Sequence, residues 1–162
     1  MKFTSTIISL VALSSFASAQ YVQVQVPRVV VSHNKTFDYP KTSTTTLACS
    51  DYMYQKKYNT FGDLPNYPNV GSSNVIEGPG SSMCGSCWHL TSEFLSETAK
   101  RDDIYIIVID KIYFNNDMQL SLATMNDLTN GNGTVNATFN ALATQVDEVY
   151  CTNGILSSHV RD

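Results

Sequence analysis

The stretch MCGSCWHL, residues 83–90, contains two of the chain's four cysteines and its single tryptophan. The other two cysteines are Cys49 and Cys151. Cys84 and Cys87 have three possible roles: a catalytic thiol, a metal or redox pair, or halves of disulfides. The choice decides the fold, because disulfides from this stretch would fasten distant parts of a small chain to one another.

The run Cys-Gly-Ser-Cys-Trp is typical of papain-type cysteine proteases, in which the second cysteine attacks the substrate. Such a protease would need a glutamine six residues before Cys87, where this chain has Ser81. It would also need a histidine and an asparagine about 130–150 residues downstream, whereas the chain ends at residue 162. The sequence therefore disfavours a cysteine protease.

A metal site and a redox pair are disfavoured on similar grounds. A zinc site would need two further ligands at comparable spacing, and no second Cys-x-x-Cys or His-x-x-x-His follows. A redox dithiol would need a strand-helix-strand context, but turn-forming residues dominate before Cys84. We predict structural disulfides, no metal and no cofactor, while all three pairings of the cysteines remain open.

The first residues, MKFTSTIISLVALSSFASAQ, have the pattern of a secretory leader. Lys2 precedes an apolar run, and the small residues Ala17-Ser18-Ala19 predict cleavage after Ala19. No later segment approaches the roughly 20 apolar residues that a membrane-spanning helix requires. We therefore predict a signal peptide over residues 1–19 and a protein that is secreted, extracellular or held in the cell wall.

Cleavage would leave a chain of about 140 residues, for which one domain is the expected organisation. We predict a single domain over residues 20–151 and a tail over residues 152–162, which lacks an apolar period. The formal net charge of −4 and the absence of a long basic cluster disfavour nucleic acid and membrane as partners. We expect a monomer. Three Asn-x-Thr sequons make Asn34, Asn132 and Asn136 glycosylation candidates.

Strand patterns dominate the sequence. The alternating, valine-rich run at 21–33 predicts one or two strands broken at Pro27, in an edge position. The continuous apolar run IYIIVID, residues 104–110, predicts a strand buried on both faces. The segment 134–151 predicts two further strands, and the turn-rich segment 51–82 a long ordered loop with a short strand at 74–76.

One helix is predicted, in the segment SLATMNDLTNGNG at 121–133. Leu122, Met125 and Leu128 recur at helical spacing, Ser121 is a candidate N-cap, and Asn130-Gly131 predicts the end. Many short strands with one helix and abundant turns indicate a mainly β protein, either a β-barrel or a β-rich α+β fold.

Two acids stand out by their context. Asp51 lies two residues after Cys49, and Asp110 ends the predicted buried strand. Hydrolysis of a glycosidic bond would need two such carboxylates on either side of the bond. Either acid could be functional, and either could instead cap a turn.

Six motifs in order resemble the cerato-platanin family of small secreted fungal proteins. They are ACSD at 48–51, TFGDLPNYPNVG at 60–71, CGSCWHL at 84–90, VID at 108–110, SLATMNDLT at 121–129, and a last cysteine preceded by a TQV segment. The resemblance spans most of the mature chain. It implies a six-stranded double-psi β-barrel, related to expansins, with disulfides Cys49–Cys84 and Cys87–Cys151.

The resemblance also implies functions. Members are known as non-catalytic binders of chitin oligomers, as elicitors of plant defence and as expansin-like loosening proteins. The position of Asp110 is the one linked to loosening, and Asp51 matches the acid of the CSD motif. Related barrel enzymes carry an acid where this chain has Gln119, and an amide cannot exchange a proton as a carboxyl group does. We therefore expect no enzymatic activity.

Three features depart from the family pattern. Tyr52 stands where a glycine usually follows the CSD motif, the segment 91–103 looks longer than usual, and the residues after Cys151 extend beyond the common end. These departures bear on the shape of one groove wall, and hence on the ligand, rather than on the fold.

We predict a shallow groove that binds chitin or N-acetylglucosamine oligomers. Hydrogen bonds would come from Asp51, Thr60, Asp110 and Asn126, while Tyr54 or Tyr58 could cover a sugar face. Two alternatives remain open: an expansin-like protein that loosens a cellulose surface, and a protein recognised by a host receptor whose sugar binding is incidental.

Overall fold

The computed structural model describes residues 24–92, 104–112, 117–133 and 138–152. Its six strands close into one barrel in the order β1-β5-β2-β4-β3-β6. The strands are β1 Gln25–His33, β2 Val70–Ser73, β3 Cys87–Ser92, β4 Ile104–Lys111, β5 Asp117–Leu120 and β6 Thr138–Val146. The mainly β class and the six-stranded double-psi barrel are confirmed.

The barrel mixes two kinds of strand pairing. Strands β1 and β5 are parallel, as are β2 and β4, and the other four pairs are antiparallel. Parallel neighbours require crossover connections, so strands that follow one another along the chain are often not neighbours in the sheet. The core is filled by large apolar side chains such as Trp88, Ile106 and Leu120, which are fully buried.

Two strand predictions are confirmed in part. Strand β4 lies in the middle of the sheet between β2 and β3 and buries most of its side chains, as its apolar run predicts. Strand β1 is one strand, but its predicted edge position is wrong, because it is bonded to β5 on one side and β6 on the other. A register shift between Val26 and Val29 accommodates Pro27, which has no N–H for the ladder.

The helices are short: α1 Ser50–Lys56, α2 Leu122–Leu128 and α3 Val149–Thr152, with 3-10 turns at Lys35–Asp38 and Phe61–Asp63. The prediction of α2 is confirmed. The Ser121 hydroxyl accepts the Thr124 N–H at 3.1 Å, and Asn130 and Gly131 follow with positive φ. Left-handed residues of these types end a helix by turning the chain away from its axis.

Three local predictions are wrong. The segment 51–82 is not all loop, because α1 occupies its start, with Met53 fully buried. The short strand lies at 70–73 rather than 74–76, where Gly71 lets β2 approach β5 closely. The segment before Cys151 forms one strand, β6, followed by α3 instead of a second strand.

Both disulfides predicted by the family resemblance are present. Cys49 is bonded to Cys84 and Cys87 to Cys151, and the chain has no free cysteine. The first disulfide ties the start of α1 to the loop before β3, and the second ties β3 to α3. The predicted leader, the tail beyond residue 152, the segment 93–103 and the sequon at Asn136 lie outside the described residues.

Candidate functional site

Asp51 lies in the first turn of α1, two residues after the disulfide-bonded Cys49. Its side chain is exposed, and its carboxylate makes no hydrogen bond or ion pair with any of the residues described. Both oxygens are therefore open to a ligand that donates hydrogen bonds. The Cys49–Cys84 disulfide fixes the backbone that carries this carboxylate.

A cavity of about 370 Å³ lies beside Asp51. The Cys49–Cys84 disulfide forms one part of its wall, and Tyr52 and Gln55 of α1 form another. The loop at residues 80–82 completes the lining. Its size is at the lower end of the roughly 300–1,000 Å³ typical of small-molecule sites.

Tyr52 is fixed on several sides. Its ring packs directly against Gly85, where a β-carbon would overlap the ring. Its hydroxyl donates to Glu148 Oε1 at 3.2 Å, and Lys56 Nζ reaches the same oxygen at 3.3 Å and lies 5.6 Å from the ring centre. Burial, and then the negative charge of Glu148, raise the pKa of Tyr52 well above its usual range, so the phenol stays neutral.

Asp110 is engaged with the backbone rather than displayed to solvent. Its Oδ1 accepts the Ala48 N–H at 2.8 Å and the Lys111 N–H at 2.9 Å. The first of these bonds joins the end of β4 to the segment that leads into Cys49 and α1. Asp110 therefore supports the region that carries Asp51, and only its second oxygen is without a hydrogen bond in the described parts of the chain.

Gln119 lies across the sheet from Asp110. Ser72 of β2 is paired with Asp110 on one side and with Gln119 on the other. The Gln119 Oε1 accepts a hydrogen bond from Asn34 Nδ2 at 2.9 Å. An amide bonded in this way is a structural link between β5 and the end of β1, and it offers no proton for acid catalysis.

Thr60 is occupied by a local cap. Its backbone N–H and its hydroxyl both donate to Asp63 Oδ2, at 2.8 and 3.1 Å, and the Asn59 N–H donates to the same oxygen at 2.9 Å. These bonds, first of all the one from the Thr60 N–H, hold the pKa of Asp63 below its usual value. The hydroxyl of Thr60 therefore has a protein partner before any ligand binds.

The four predicted ligand residues are brought together only in part. The hydrogen bond from the Ala48 N–H to Asp110 connects Asp110 to the segment that carries Asp51. No hydrogen bond among the described residues joins Asn126, on α2, to the other three. Tyr54 is 84% exposed on α1, whereas Tyr58 is half-buried against the core, so only Tyr54 presents a free ring.

The structure adds two polar residues that the sequence did not single out. Gln55 and Ser82 line the cavity beside Asp51, and their side chains make no hydrogen bond to the described residues. Gln55 lies one turn after Asp51 on α1, which would have been a signal had the helix been predicted. Ser82 lies on the same cavity as Asp51 because the Cys49–Cys84 disulfide joins their two segments. No local sequence pattern indicates this proximity.

The asparagines of two of the three sequons lie in the described residues. Asn34 is half-buried, and its amide is bonded both to the Thr36 N–H and to Gln119. Asn132 is exposed and donates to the Thr129 carbonyl at 3.0 Å. A glycan on Asn34 would require breaking its bond to Gln119, so Asn132 is the better placed of the two.

Comparisons with known proteins agree on one family. A family model described as Cerato-platanin matches residues 29–155. An allergen Asp f 15 homolog from Arthroderma benhamiae is 33% identical over 148 residues, 86% of this chain, and the chain spans 65% of that relative's length. A heat-stable 19 kDa antigen from Coccidioides immitis is 28% identical over 153 residues, covering 90% of this chain and 97% of the antigen.

Solved structures share the barrel. The crystal structure of cerato-platanin 1 from M. perniciosa is 36% identical, with a TM-score of 0.67 over 76% of this chain and 98% of that chain. The solution structure of the fungal elicitor cerato-platanin is 26% identical, with a TM-score of 0.63 over 78% of this chain and 98% of that chain. The architecture described above is therefore common to these fungal proteins.

Proposed function

Because the chain belongs to the cerato-platanin family, we propose that it is a secreted, non-catalytic protein that binds N-acetylglucosamine oligomers at the fungal wall and acts as an elicitor towards a host. The observation that carries the binding function is the exposed Asp51 carboxylate, unpaired among the described residues, at the edge of the cavity. A carboxylate in this setting accepts hydrogen bonds from sugar hydroxyl and acetamido groups.

The absence of hydrolysis is proposed on the chemistry of two positions. The Gln119 side-chain amide is hydrogen-bonded to Asn34, and one carboxylate oxygen of Asp110 accepts hydrogen bonds from two backbone N–H groups. A glycosidase needs one carboxyl group as the acid and a second as the base or nucleophile. This pair supplies at most one, which supports binding without bond cleavage.

Secretion is supported by two features of the chain. The leader pattern of residues 1–19 predicts export, and the two disulfides suit an oxidising compartment. Among the residues described, none of the helices is both long and apolar enough to span a bilayer.

The elicitor role is supported by the named relatives. Two of them carry the words allergen and antigen in their names, and one solved structure is described as a fungal elicitor. Recognition by a host receptor, with sugar binding incidental, is the second candidate function. It would be contradicted if host tissue infiltrated with the purified protein gave no defence response.

The test of sugar binding is a calorimetric titration of the oxidised protein with N-acetylglucosamine tetramer at millimolar concentration. We expect saturable heat and no release of shorter oligomers on prolonged incubation. Cellotetraose, which has the same linkage and lacks acetamido groups, is the matched ligand control. Absence of any heat with the tetramer would overturn the proposed carbohydrate-binding function, and release of shorter oligomers would overturn the non-catalytic one.

A further inference from the structure

The two disulfides differ in how deeply their cysteines are buried. Cys87 and Cys151 are each 1% exposed, so neither half of that disulfide is accessible from solvent. Cys49 is also 1% exposed, but its partner Cys84 is only half-buried. Thiol–disulfide exchange requires a thiolate to reach one of the two sulfur atoms, so access decides which disulfide reacts. Among the four cysteines, Cys84 is therefore the accessible position.

The cavity beside α1 connects this disulfide to solvent. Cys49 and Cys84 both line the cavity. Three other lining residues, Asp51, Gln55 and Ser82, are exposed, so the cavity is open on their side. Its volume of about 370 Å³ is roughly tenfold the ~30 Å³ that one water molecule occupies in the liquid. A thiol with a few heavy atoms therefore fits, and it can approach Cys84 while the barrel stays closed.

Asp51 gives the entrance of this cavity a negative charge. No cation among the described residues is paired with its carboxylate. The charge of Glu148, in contrast, is balanced by Lys56, whose Nζ lies 3.3 Å from Glu148 Oε1. A charge of one sign at a cleft attracts ions of the opposite sign and repels ions of its own sign. The entrance therefore favours a cationic or neutral thiol over an anionic one.

We propose that Cys84 is the site at which small cationic or neutral thiols open the Cys49–Cys84 disulfide. A thiolate attacks the Cys84 sulfur, the bond to the Cys49 sulfur breaks, and Cys49 leaves as a thiolate that takes a proton from solvent. A second thiolate then attacks the mixed disulfide and releases Cys84, which is protonated in the same way. Two thiols are oxidised to one small disulfide, and the protein disulfide gains two electrons and two protons. This inference does not depend on sugar binding.

Reduction at this position releases one wall of the cavity and leaves the barrel intact. The Cys49–Cys84 disulfide joins the start of α1 to the loop before β3. The six strands are joined by their own hydrogen bonds, and the buried Cys87–Cys151 disulfide still ties β3 to α3. The first disulfide is thus a redox-sensitive link, whereas the second is a structural one that small thiols do not reach.

The experiment treats the oxidised protein with a thiol, blocks the freed cysteines with iodoacetamide at successive times, and identifies the alkylated positions by mass spectrometry. Three thiols of similar size are compared: cysteamine, which is cationic, 2-mercaptoethanol, which is neutral, and 2-mercaptoethanesulfonate, which is anionic. Each rate is divided by the rate of the same thiol with hydroxyethyl disulfide, which removes differences in intrinsic reactivity.

We expect the Cys49–Cys84 disulfide to open at least about a hundredfold faster than the other one, whose exchange requires local unfolding. At low salt, the corrected rate should be about twofold to fivefold higher with cysteamine than with the sulfonate, the scale of an interaction between exposed charges. Asp51→Asn should abolish this preference. Glu77→Gln, which removes an exposed carboxylate that does not line the cavity, should leave it unchanged.

Three results would overturn the inference. Alkylation of all four cysteines at similar rates would show that the cavity gives the thiol no selective access. The mixed disulfide, trapped by acid, should carry the thiol on Cys84, and a thiol found on Cys49 would place the attack at the buried sulfur instead. An unchanged preference for cysteamine in Asp51→Asn would show that the thiol does not enter past this carboxylate.

Discussion

The carboxylate of Asp110 joins two segments of the chain that are far apart in sequence. An asparagine at this position keeps a carbonyl oxygen that can accept the Ala48 and Lys111 N–H groups, whereas an alanine keeps none. We expect Asp110→Ala to lower the free energy of unfolding by about 1–3 kcal/mol, the cost of a partly buried donor without an acceptor. We expect Asp110→Asn to cost less than half as much.

Urea unfolding of the two variants measures this difference, and the amide shift of Ala48 reports the hydrogen bond directly. Sugar binding should follow the same order, with Asp110→Asn close to the wild type. Equal losses of stability in both variants would contradict the positioning role. Loss of binding in Asp110→Asn with unchanged stability would show instead that the charge of Asp110 meets the ligand.

Asp63 makes the stability of the protein depend on pH. Its pKa in the folded state is lowered by the Thr60 and Asn59 donors, so its contribution is fully present above the unfolded value of about 3.9. That contribution is lost as the pH falls through the lowered pKa. We expect wild type and Asp63→Asn to differ in stability at pH 6 and to converge towards pH 2, as measured by urea unfolding. A difference that stays constant over this range would contradict the prediction.

The sequence predicts which residues belong to the candidate site. It does not predict which of their side-chain atoms are already hydrogen-bonded within the protein. Asp51 and Asp110 both stand out as acids at anchored positions, and the sequence treats them alike. The structure separates them, because one oxygen of Asp110 is consumed by Ala48, 62 positions away, while Asp51 is exposed. Long-range contacts decide which polar atoms form hydrogen bonds within the protein, and no local sequence pattern indicates these contacts.

The two seven-residue helices differ in how far local sequence determines them. Helix α2 has a serine N-cap that bonds Thr124 and an Asn-Gly end, so its limits were predicted correctly. Helix α1 begins at Ser50, and its N-cap residue, Cys49, makes no capping hydrogen bond with its side chain. It is held instead by the disulfide and by the buried Met53, and such tertiary support cannot be seen in a window of sequence.

Strand β2 depends on a glycine at its centre. A β-carbon on Gly71 would lie 2.5 Å from the Gln119 carbonyl oxygen and 2.6 Å from Leu120 Cδ2. We expect Gly71→Ala to lower the free energy of unfolding by about 3 kcal/mol, at the upper end for overpacking, because the backbone of β5 would have to move.

The matched control for this variant is Gly131→Ala. Gly131 has positive φ, and a β-carbon there would meet no atom within 4 Å, so only backbone strain of about 1–2 kcal/mol applies. Thermal or urea unfolding of both variants provides the comparison. A smaller loss for Gly71→Ala than for Gly131→Ala would show that β2 and β5 can separate without cost.

At the scale of the whole molecule, the two disulfides have different consequences. They close loops with sequence separations of 35 and 64 residues, and each should stabilise the fold by roughly 3–4 kcal/mol on a chain-entropy estimate. Replacing Cys49 and Cys84 by serine should also abolish sugar binding, because the pair forms part of the cavity wall. Replacing Cys87 and Cys151 should reduce stability by a similar amount and leave the affinity within about twofold.

Unfolding curves and tetramer titrations at 15 °C, where the variants remain folded, distinguish the two cases. Retained binding without the Cys49–Cys84 disulfide would place the sugar elsewhere on the barrel.

The arrangement of the strands was beyond the reach of local patterns. Individual segments predicted β4 and the greater part of β1, but nothing in them indicates that β1 lies between β5 and β6. The family resemblance implied the six-stranded barrel but not the order of its strands, since parallel pairs such as β2 and β4 depend on residues dozens of positions apart. The sheet closes into a barrel and has no edge strand. The edge position predicted from Pro27 is therefore wrong, because the local sequence does not show this long-range pairing.

The pairing of the first strand with the last affects when the protein can fold. Strand β1 is bonded to β6 from Gln25, opposite Thr144, to Ser32, opposite Thr138. A growing chain therefore cannot close the ring until residue 146 has left the ribosome. For the proposed secreted protein, this order would keep the barrel open through export and leave its closure to the compartment where the cysteines are oxidised.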